Sequence, residues 1–253
     1  MFSEERREQI LNLLEQSGRV MVKDLAETFQ VSIDSIRRDL SILEEKGLLK
    51  RTHGGAISNT GVRQAPRPPS ERFSEGTIHQ NAIAKLAASY IDEHSTIFIG
   101  GASIHYVLLK YIPINIEYTV VTNSLEVAYV LREYENIQLF LIAGNVKASG
   151  NITDALATEF SRQFTFDLCF ATAGALSSNG LSTATPEVAI FHKTIYSRSR
   201  TVIALIEHHK FGKDMFSGMF PLNQLDLVIT DEETLEKYLK MLGLNGVDVI
   251  VAK

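Results

Sequence analysis

The apolar positions of the chain follow two different rhythms. Up to residue 57 they recur at spacings of three and four, which is the period of amphipathic helices. Ile10, Leu13 and Leu14 make one face, Val22, Leu25, Ala26 and Phe29 a second, and Ile36, Leu40 and Leu43 a third. The first helix is expected over Glu5 to Ser17, with Ser3 as its N-cap; Arg6 at the third position rules out a capping box. Ser17-Gly18 stops that helix, Arg19-Val20 leads into the second, and Gln30-Val31 is the next turn. Ser32 caps the third helix, which ends at Gly47. The following LLKRTHGGAIS predicts a short hairpin: Leu48, Leu49 and Lys50 form one arm, Gly54-Gly55 allow the turn, and Arg51, Thr52 and His53 lie near the tip. Three small helices and a hairpin make a winged helix-turn-helix.

From residue 77 the rhythm changes. Thr77 opens a helix with Ile83, Leu86 and Ala87 inward. Short apolar runs then follow: TIFIG, TVVT, LFLIAG, DLCFATA, TVIALI, LDLVIT and VDVIV. They lack strict alternation, so they predict strands buried on both faces. Helical segments at 103–110, 124–133, 153–163, 186–199 and 232–242 separate most of them. Strand and helix in alternation give an α/β domain, a mostly parallel sheet with helices on both faces. Between the two rhythms, residues 58–76 hold few apolar positions and three prolines, Pro66, Pro68 and Pro69, which favour an extended linker. The expected organisation is therefore a reader at 1–57, a linker at 58–76 and an α/β domain at 77–253.

Composition adjusts this picture in three places. The 253 residues carry a formal net charge of −5, which argues against a nucleic-acid binder as a whole. Distribution outweighs the sum, because Arg37, Arg38, Lys50, Arg51 and His53 gather on the third helix and the hairpin, where they suit DNA. The competing reading is a solvated face in which Arg37 and Arg38 pair with Asp34 and Glu44. The single cysteine, Cys169, excludes an intrachain disulfide and fits a reducing compartment. The charged SEERRE near the start is not a signal peptide, and no apolar run reaches the length of a membrane span, so a cytoplasmic protein is expected.

In a parallel sheet, ligands bind beyond the carboxyl ends of the strands. Those ends here read Gly100-Gly101-Ala102-Ser103, Thr122-Asn123-Ser124, Gly144-Asn145-Val146-Lys147, Ala173-Gly174, Glu207-His208-His209-Lys210 and Thr230-Asp231. Small residues admit an anion to backbone N–H groups, Ser103 and Ser124 add hydroxyls, and Lys147, Lys193 and Lys210 are candidate counter-charges. Turns, caps and solvated lysines explain the same residues without a ligand. Neither the Walker pattern nor the dinucleotide fingerprint is present, so the pattern indicates a small anionic ligand and no cofactor. A rival reading gives Asp154, Glu187 and Glu207 catalytic roles as bases. Glu207-His208-His209 are adjacent and point apart on an extended chain, and no metal-ligand spacing stands out, so no metal is expected.

The N-terminal stretch, with SIDSIRRDLSILEEKG followed by RTHGGA, resembles the DeoR family of bacterial regulators of sugar metabolism. The resemblance extends over nearly the whole chain. It implies that the helix carrying Ser35, Ile36, Arg37 and Arg38 is the DNA-reading helix and that Arg51 to Gly55 resembles the wing; Ser32, Lys50, Thr52 and His53 are candidate DNA contacts beside them. It also implies that Thr122, Asn123, Ser124, Gly174, Thr230, Asp231 and Lys210-Phe211-Gly212 match sensor positions; Lys193 matches only with a shift of a residue or two. Such sensors resemble sugar-phosphate isomerases and bind phosphorylated sugars without converting them. A repressor of a carbohydrate-use operon follows, with operator DNA and a phosphorylated sugar as partners, acting as a dimer or tetramer. Two departures stand out. Gly100 and Ile104 replace an aspartate and a threonine of the family pattern Asp-x-Gly-Thr-Thr, and Glu207-His208-His209 replaces Asp-Ser-Ser or Asp-His-Ser.

Overall fold

The computed structural model describes residues 3–17, 19–45, 48–58 and 75–253. Gly18, Gly47 and nearly all of the expected linker lie outside them. The chain divides into two compact units, Met1–Gln64 and Ala65–Lys253.

In the first unit, helix α1 (Ser3–Ser17) is followed by strand β1 (Arg19–Met21), α2 (Val22–Thr28), α3 (Ile33–Glu45), β2 (Leu49–Thr52) and β3 (Gly55–Ser58). Two expectations need correction. Ser3 is the first residue of α1 and not its cap. Arg19-Val20 is no simple lead into α2, because β1 pairs antiparallel with β3, Val20 opposite Ala56 and Met21 opposite Gly55. Three residues are too few to show a strand period, so the pattern concealed it. The pairing also explains one glycine: a Cβ on Gly55 would lie 1.9 Å from the Val20 carbonyl oxygen. Ile10, Leu14, Leu25, Ile36, Leu40, Leu43 and Leu49 fill the core. Beside them runs a buried ion pair that the sequence reading did not find. The Arg6 Nε donates to Asp39 Oδ2 at 2.7 Å and the Arg7 guanidinium to Asp39 Oδ1 at 3.2 Å, tying α1 to α3.

The second unit is built on a seven-stranded, wholly parallel sheet. Its strands are β4 (Thr96–Ile99), β5 (Tyr118–Thr122), β6 (Ile137–Leu141), β7 (Phe166–Ala171), β10 (Ser199–Leu205), β12 (Leu227–Asp231) and β13 (Asp248–Ala252). They lie in the order β13-β12-β10-β7-β4-β5-β6. Each was legible as an apolar run; the five inner strands are largely buried on both faces, whereas the edge strands β6 and β13 keep one side partly exposed. The helices are α4 (Ile78–Ala88), α5 (Ser103–Leu108), α6 (Leu125–Leu131), α7 (Ala155–Ser161), α8 (Pro186–Tyr196) and α9 (Glu236–Leu244). Thr77 caps α4 in a full capping box with Gln80. A second sheet of β8 (Ala175–Ser177), β9 (Gly180–Thr183) and β11 (Ser217–Phe220) is antiparallel and was not foreseen.

The strand order places the functional edge. From β4 the chain winds outward through β5 and β6, then returns to the other side of β4 and winds away through β7, β10, β12 and β13. The direction reverses between β4 and β7. A crevice opens beyond the carboxyl ends at such a reversal, because the flanking connections leave in opposite directions.

Candidate functional site

The first candidate surface lies on α3 and the β2–β3 hairpin. Ser32 caps α3 as expected: the Ser35 backbone N–H donates to its Oγ at 3.2 Å. The two hydroxyls also lie 2.9 Å apart. Burial of Ile36, Asp39, Leu40 and Leu43 fixes the rotation of the helix and turns Arg37 and Arg38 outward. Lys50, Arg51, Thr52 and His53 are likewise exposed. Arg37, Ser41 and Glu44 form one stripe along α3, and the hairpin packs beside it. The Arg51 guanidinium donates to Ser41 Oγ at 2.6 Å, and the Arg51 backbone N–H to Glu44 at 2.8 Å. These bonds hold helix and hairpin as one surface. Arg37 does pair with Asp34, at 3.3 Å, but both side chains are more than half exposed, so solvent screens the pair and it yields readily.

The second candidate site lies at the sheet reversal. Gly100 and Gly101 follow β4, Thr122, Asn123 and Ser124 end or follow β5, and Thr172 to Gly174 follow β7. Thr122, Asn123 and Ser124 are completely buried. The Asn123 amide donates to the Ile152 carbonyl at 3.0 Å, and Ser124 Oγ accepts from Val127 at the start of α6. Asn151, which the sequence reading did not single out, donates to the Gly101 carbonyl at 3.3 Å. Three buried side-chain oxygens have no hydrogen-bond partner among the described residues: Asn123 Oδ1, Asn151 Oδ1 and Thr172 Oγ1. An unpaired buried oxygen carries its full desolvation cost, about 1–3 kcal/mol. Together they make the β4, β5 and β7 ends the candidate ligand site.

The departure at Gly100 has a structural counterpart. A Cβ there would lie 3.1 Å from His105 Nδ1. His105 is fully buried, with Nε2 2.8 Å from the Phe170 carbonyl and Nδ1 accepting from the Ala102 N–H at 3.4 Å. Burial drives its pKa down to about 3, so the ring is neutral. The imidazole occupies the flank of the strand end where the family pattern has a carboxylate.

The expected counter-charges do not all converge. Lys147 bonds to Glu187 at 2.6 Å, and Lys210 lies 3.8 Å from the buried Glu207, which also accepts from Gln80. Ser103 begins α5 and is half-buried. Lys193 is not brought to the strand ends. It stands exposed in the last turn of α8, and α8 runs from the carboxyl edge back toward the start of β10. Gly174 is exposed, and a Cβ on it would meet Met215 Sδ at 2.0 Å.

Two of the three candidate bases fare poorly. Asp154 caps α7, and the Ala157 and Asn145 N–H groups it accepts from hold its pKa below the usual carboxylate range. Lys147 does the same to Glu187 through their hydrogen bond. A general base at neutral pH needs the opposite shift.

Comparison with known proteins agrees with this geometry. The DeoR-like helix-turn-helix domain matches residues 6–62, and the DeoR C terminal sensor domain matches residues 77–232. The HTH-type transcriptional repressor GlcR of Bacillus subtilis is 30% identical over 254 residues, spanning 100% of this chain and 98% of that protein. The HTH-type transcriptional regulator GolR of Listeria innocua is 29% identical over 255 residues, spanning 100% of both. The lactose phosphotransferase system repressor of Staphylococcus aureus is 30% identical over 243 residues, spanning 94% of this chain and 95% of that protein. Among solved structures, a ribose 5-phosphate isomerase A from Methanocaldococcus jannaschii aligns at 15% identity and a TM-score of 0.39, over 53% of this chain and 54% of that one. Both halves of the chain match domains of one family, and the three relatives above are named as regulators or repressors: the chain belongs to the DeoR family.

Proposed function

We propose that this protein is an operator-binding repressor of a carbohydrate-use operon, released from DNA by a phosphorylated sugar bound at the carboxyl edge of the parallel sheet. The observation that carries the reading is the outward cluster of Arg37, Arg38, Lys50, Arg51 and His53 on a helix and hairpin bonded into one surface. A local cluster of exposed cations on an otherwise acidic chain is suited to a polyanion. Ser32, Ser35 and Thr52 add hydroxyl contacts to phosphates. Arg37 and Arg38 divide between base edges and backbone.

The effector part of the reading is supported by the three unpartnered oxygens at the strand ends, which suit the hydroxyl groups of a sugar. Gly100, Gly101 and Ser103 leave backbone within reach of a phosphate, and Lys210 is the nearest counter-charge to this edge. Sugar binding favours a domain arrangement that no longer fits the operator, and only a difference in sugar affinity between arrangements can drive that change. A homo-oligomer, dimer or tetramer, belongs to the same reading, because two α3 helices then read successive half-sites. The exposed Leu125, Tyr129, Phe140 and Leu141 beside the β6 edge support a contact between copies.

The test is a mobility shift on the operator of the adjoining operon, with a panel of sugar phosphates and their unphosphorylated forms. Wild-type protein shifts the operator, and one phosphorylated sugar releases it. The double variant Arg37→Ala/Arg38→Ala loses the shift, at about 1–3 kcal/mol for each base-reading arginine, yet keeps the thermal stabilisation given by that sugar phosphate. Protection of the operator by the double variant would overturn the assignment of α3.

A further inference from the structure

A second cluster lies at the same sheet edge, beyond β10 and β12, and none of the reading above uses it. His79 sits in the first turn of α4, His208 follows β10, and Glu233 follows β12. Their ligand atoms all lie within 4.8 Å of one another. His79 Nε2 is 3.4 Å from Glu233 Oε1, and His208 Nε2 is 3.2 Å from Glu233 Oε2. Two ligands of a tetrahedral ion, each about 2.0–2.2 Å from the metal, lie roughly 3.3–3.5 Å apart, so this spacing suits a shared ion. The rings pack edge to face, with centroids 5.2 Å apart.

Behind His208 stands Asp231, 1% exposed at the end of β12. Its Oδ2 accepts from the His208 backbone N–H at 2.8 Å, and its Oδ1 lies 2.7 Å from His208 Nδ1 and accepts from the Glu233 N–H at 3.1 Å. A carboxylate on one nitrogen of a ligating histidine fixes the tautomer and aims the other nitrogen's lone pair at the metal. Nε2 of His208 is left facing the Glu233 carboxylate.

We infer that His79, His208 and Glu233 bind a divalent transition-metal ion of the zinc class, with Asp231 as the positioning carboxylate. Two imidazoles and a carboxylate select zinc, cobalt or nickel over magnesium and calcium, which prefer all-oxygen shells. Glu233 is half-exposed, so one side of the ion stays open to water or to a further ligand. The cluster escapes sequence inspection because its members stand at positions 79, 208 and 233; a search by local spacing finds only the adjacent Glu207-His208-His209.

The test uses the full chain without a polyhistidine tag, stripped with chelator and free of DNA and sugar, so its outcome is independent of the proposed function. Zinc titrated against a chromogenic chelator binds at about one equivalent, and cobalt gives the visible bands of a low-coordinate nitrogen–oxygen site. Magnesium does not compete. Glu233→Gln, a surface change that leaves the fold intact, removes the cobalt bands, as does His79→Ala. Asp231→Asn keeps a site but weakens it roughly 10–100-fold. Absence of saturable zinc binding would overturn the proposal. Binding undiminished in both Glu233→Gln and His79→Ala would overturn it equally.

Discussion

The two units handle buried polarity in opposite ways. In the first, the buried charges are matched: Asp39 takes Arg6 and Arg7, and the cations meant for a partner stand in solvent on α3 and the hairpin. In the second, the strand ends hold buried oxygens with no partner among the described residues, and His105 and His192 are stripped of water. The contrast follows from the size of what each receives. A DNA duplex is too large to enclose, so its reader needs a rigid body with charges on the outside. A small polar metabolite can be enclosed, so its receptor keeps groups desolvated before the ligand arrives, at some expense in stability. On the proposed reading, function lies on the surface of one unit and inside the other.

Acid breaks this symmetry most strongly. Burial lowers the pKa of His105 to about 3 and of His192 to about 4, against about 6.5 in an unfolded chain. Between those values the unfolded chain takes up protons that the folded one refuses. Stability supplied by the neutral rings is therefore complete above about pH 6.5 and falls as pH drops toward the folded values. The loss is about 1.4 kcal/mol per histidine for each pH unit. In the first unit the one histidine among the described residues is His53, which is exposed. Calorimetry from pH 6.5 to 5 shows the sensor transition falling well ahead of the reader transition, and His105→Gln flattens that fall by about a third, because burial lowers His209 to about 4 as well. Parallel descent of the two transitions would count against this account.

The next largest effect belongs to the reader. Asp39→Ala leaves Arg6, 8% exposed, without a partner against the α1–α3 contact. Removing one member of a buried pair costs about 3–5 kcal/mol, because the remaining charge is uncompensated. For so small a unit that is a large share of its stability. The reader transition is lost or moves far down, operator binding goes with it, and the sensor transition stays in place. Arg38→Ala, on the exposed face, changes the melting by no more than about 0.5 kcal/mol. Equal melting of the two variants would show that Asp39 is not the clasp.

What could be read from the residues alone divides along similar lines. The inner parallel strands were visible because double burial writes them as apolar runs; the edge strands β6 and β13 were visible as apolar runs although partly exposed. The face of α3 was visible because its apolar period leaves Arg37 and Arg38 outside. Strand β1 and the sheet of β8, β9 and β11 were hidden: RVM, ALS, GLST and SGMF are short, and tertiary pairing defines them, as Gly55 against Val20 illustrates. Strand ends can be located from sequence, so Gly100, Gly101 and Thr122 to Ser124 were named. Asn151 and Thr172 lie in connections whose path the periodicity does not fix. Asp39 looked like one acid among several on a charged helix, and only packing reveals that α1 closes over it.

The smallest change sharpens the contrast further, because it targets the enclosed site and leaves the exposed one alone. Gly101 has no side chain at a point where a Cβ would lie 1.8 Å from Asn151 Oδ1 and 2.8 Å from Ser124 Cβ. The added methyl in Gly101→Ala must displace Asn151, whose Oδ1 is one of the three unpartnered oxygens, and must break its bond to the Gly101 carbonyl. Overpacking of this kind costs about 1–3 kcal/mol, so the sensor still folds with a modestly lower transition. The reader is untouched and binds the operator as before. The phosphorylated sugar that releases wild-type protein then no longer releases the variant, and it no longer raises the sensor transition. Gly218→Ala is the control, since nothing lies within 4 Å of a Cβ there. It keeps both responses. If Gly101→Ala also kept them, the ligand would have to sit away from the β4 end, and the unpartnered oxygens would need another explanation.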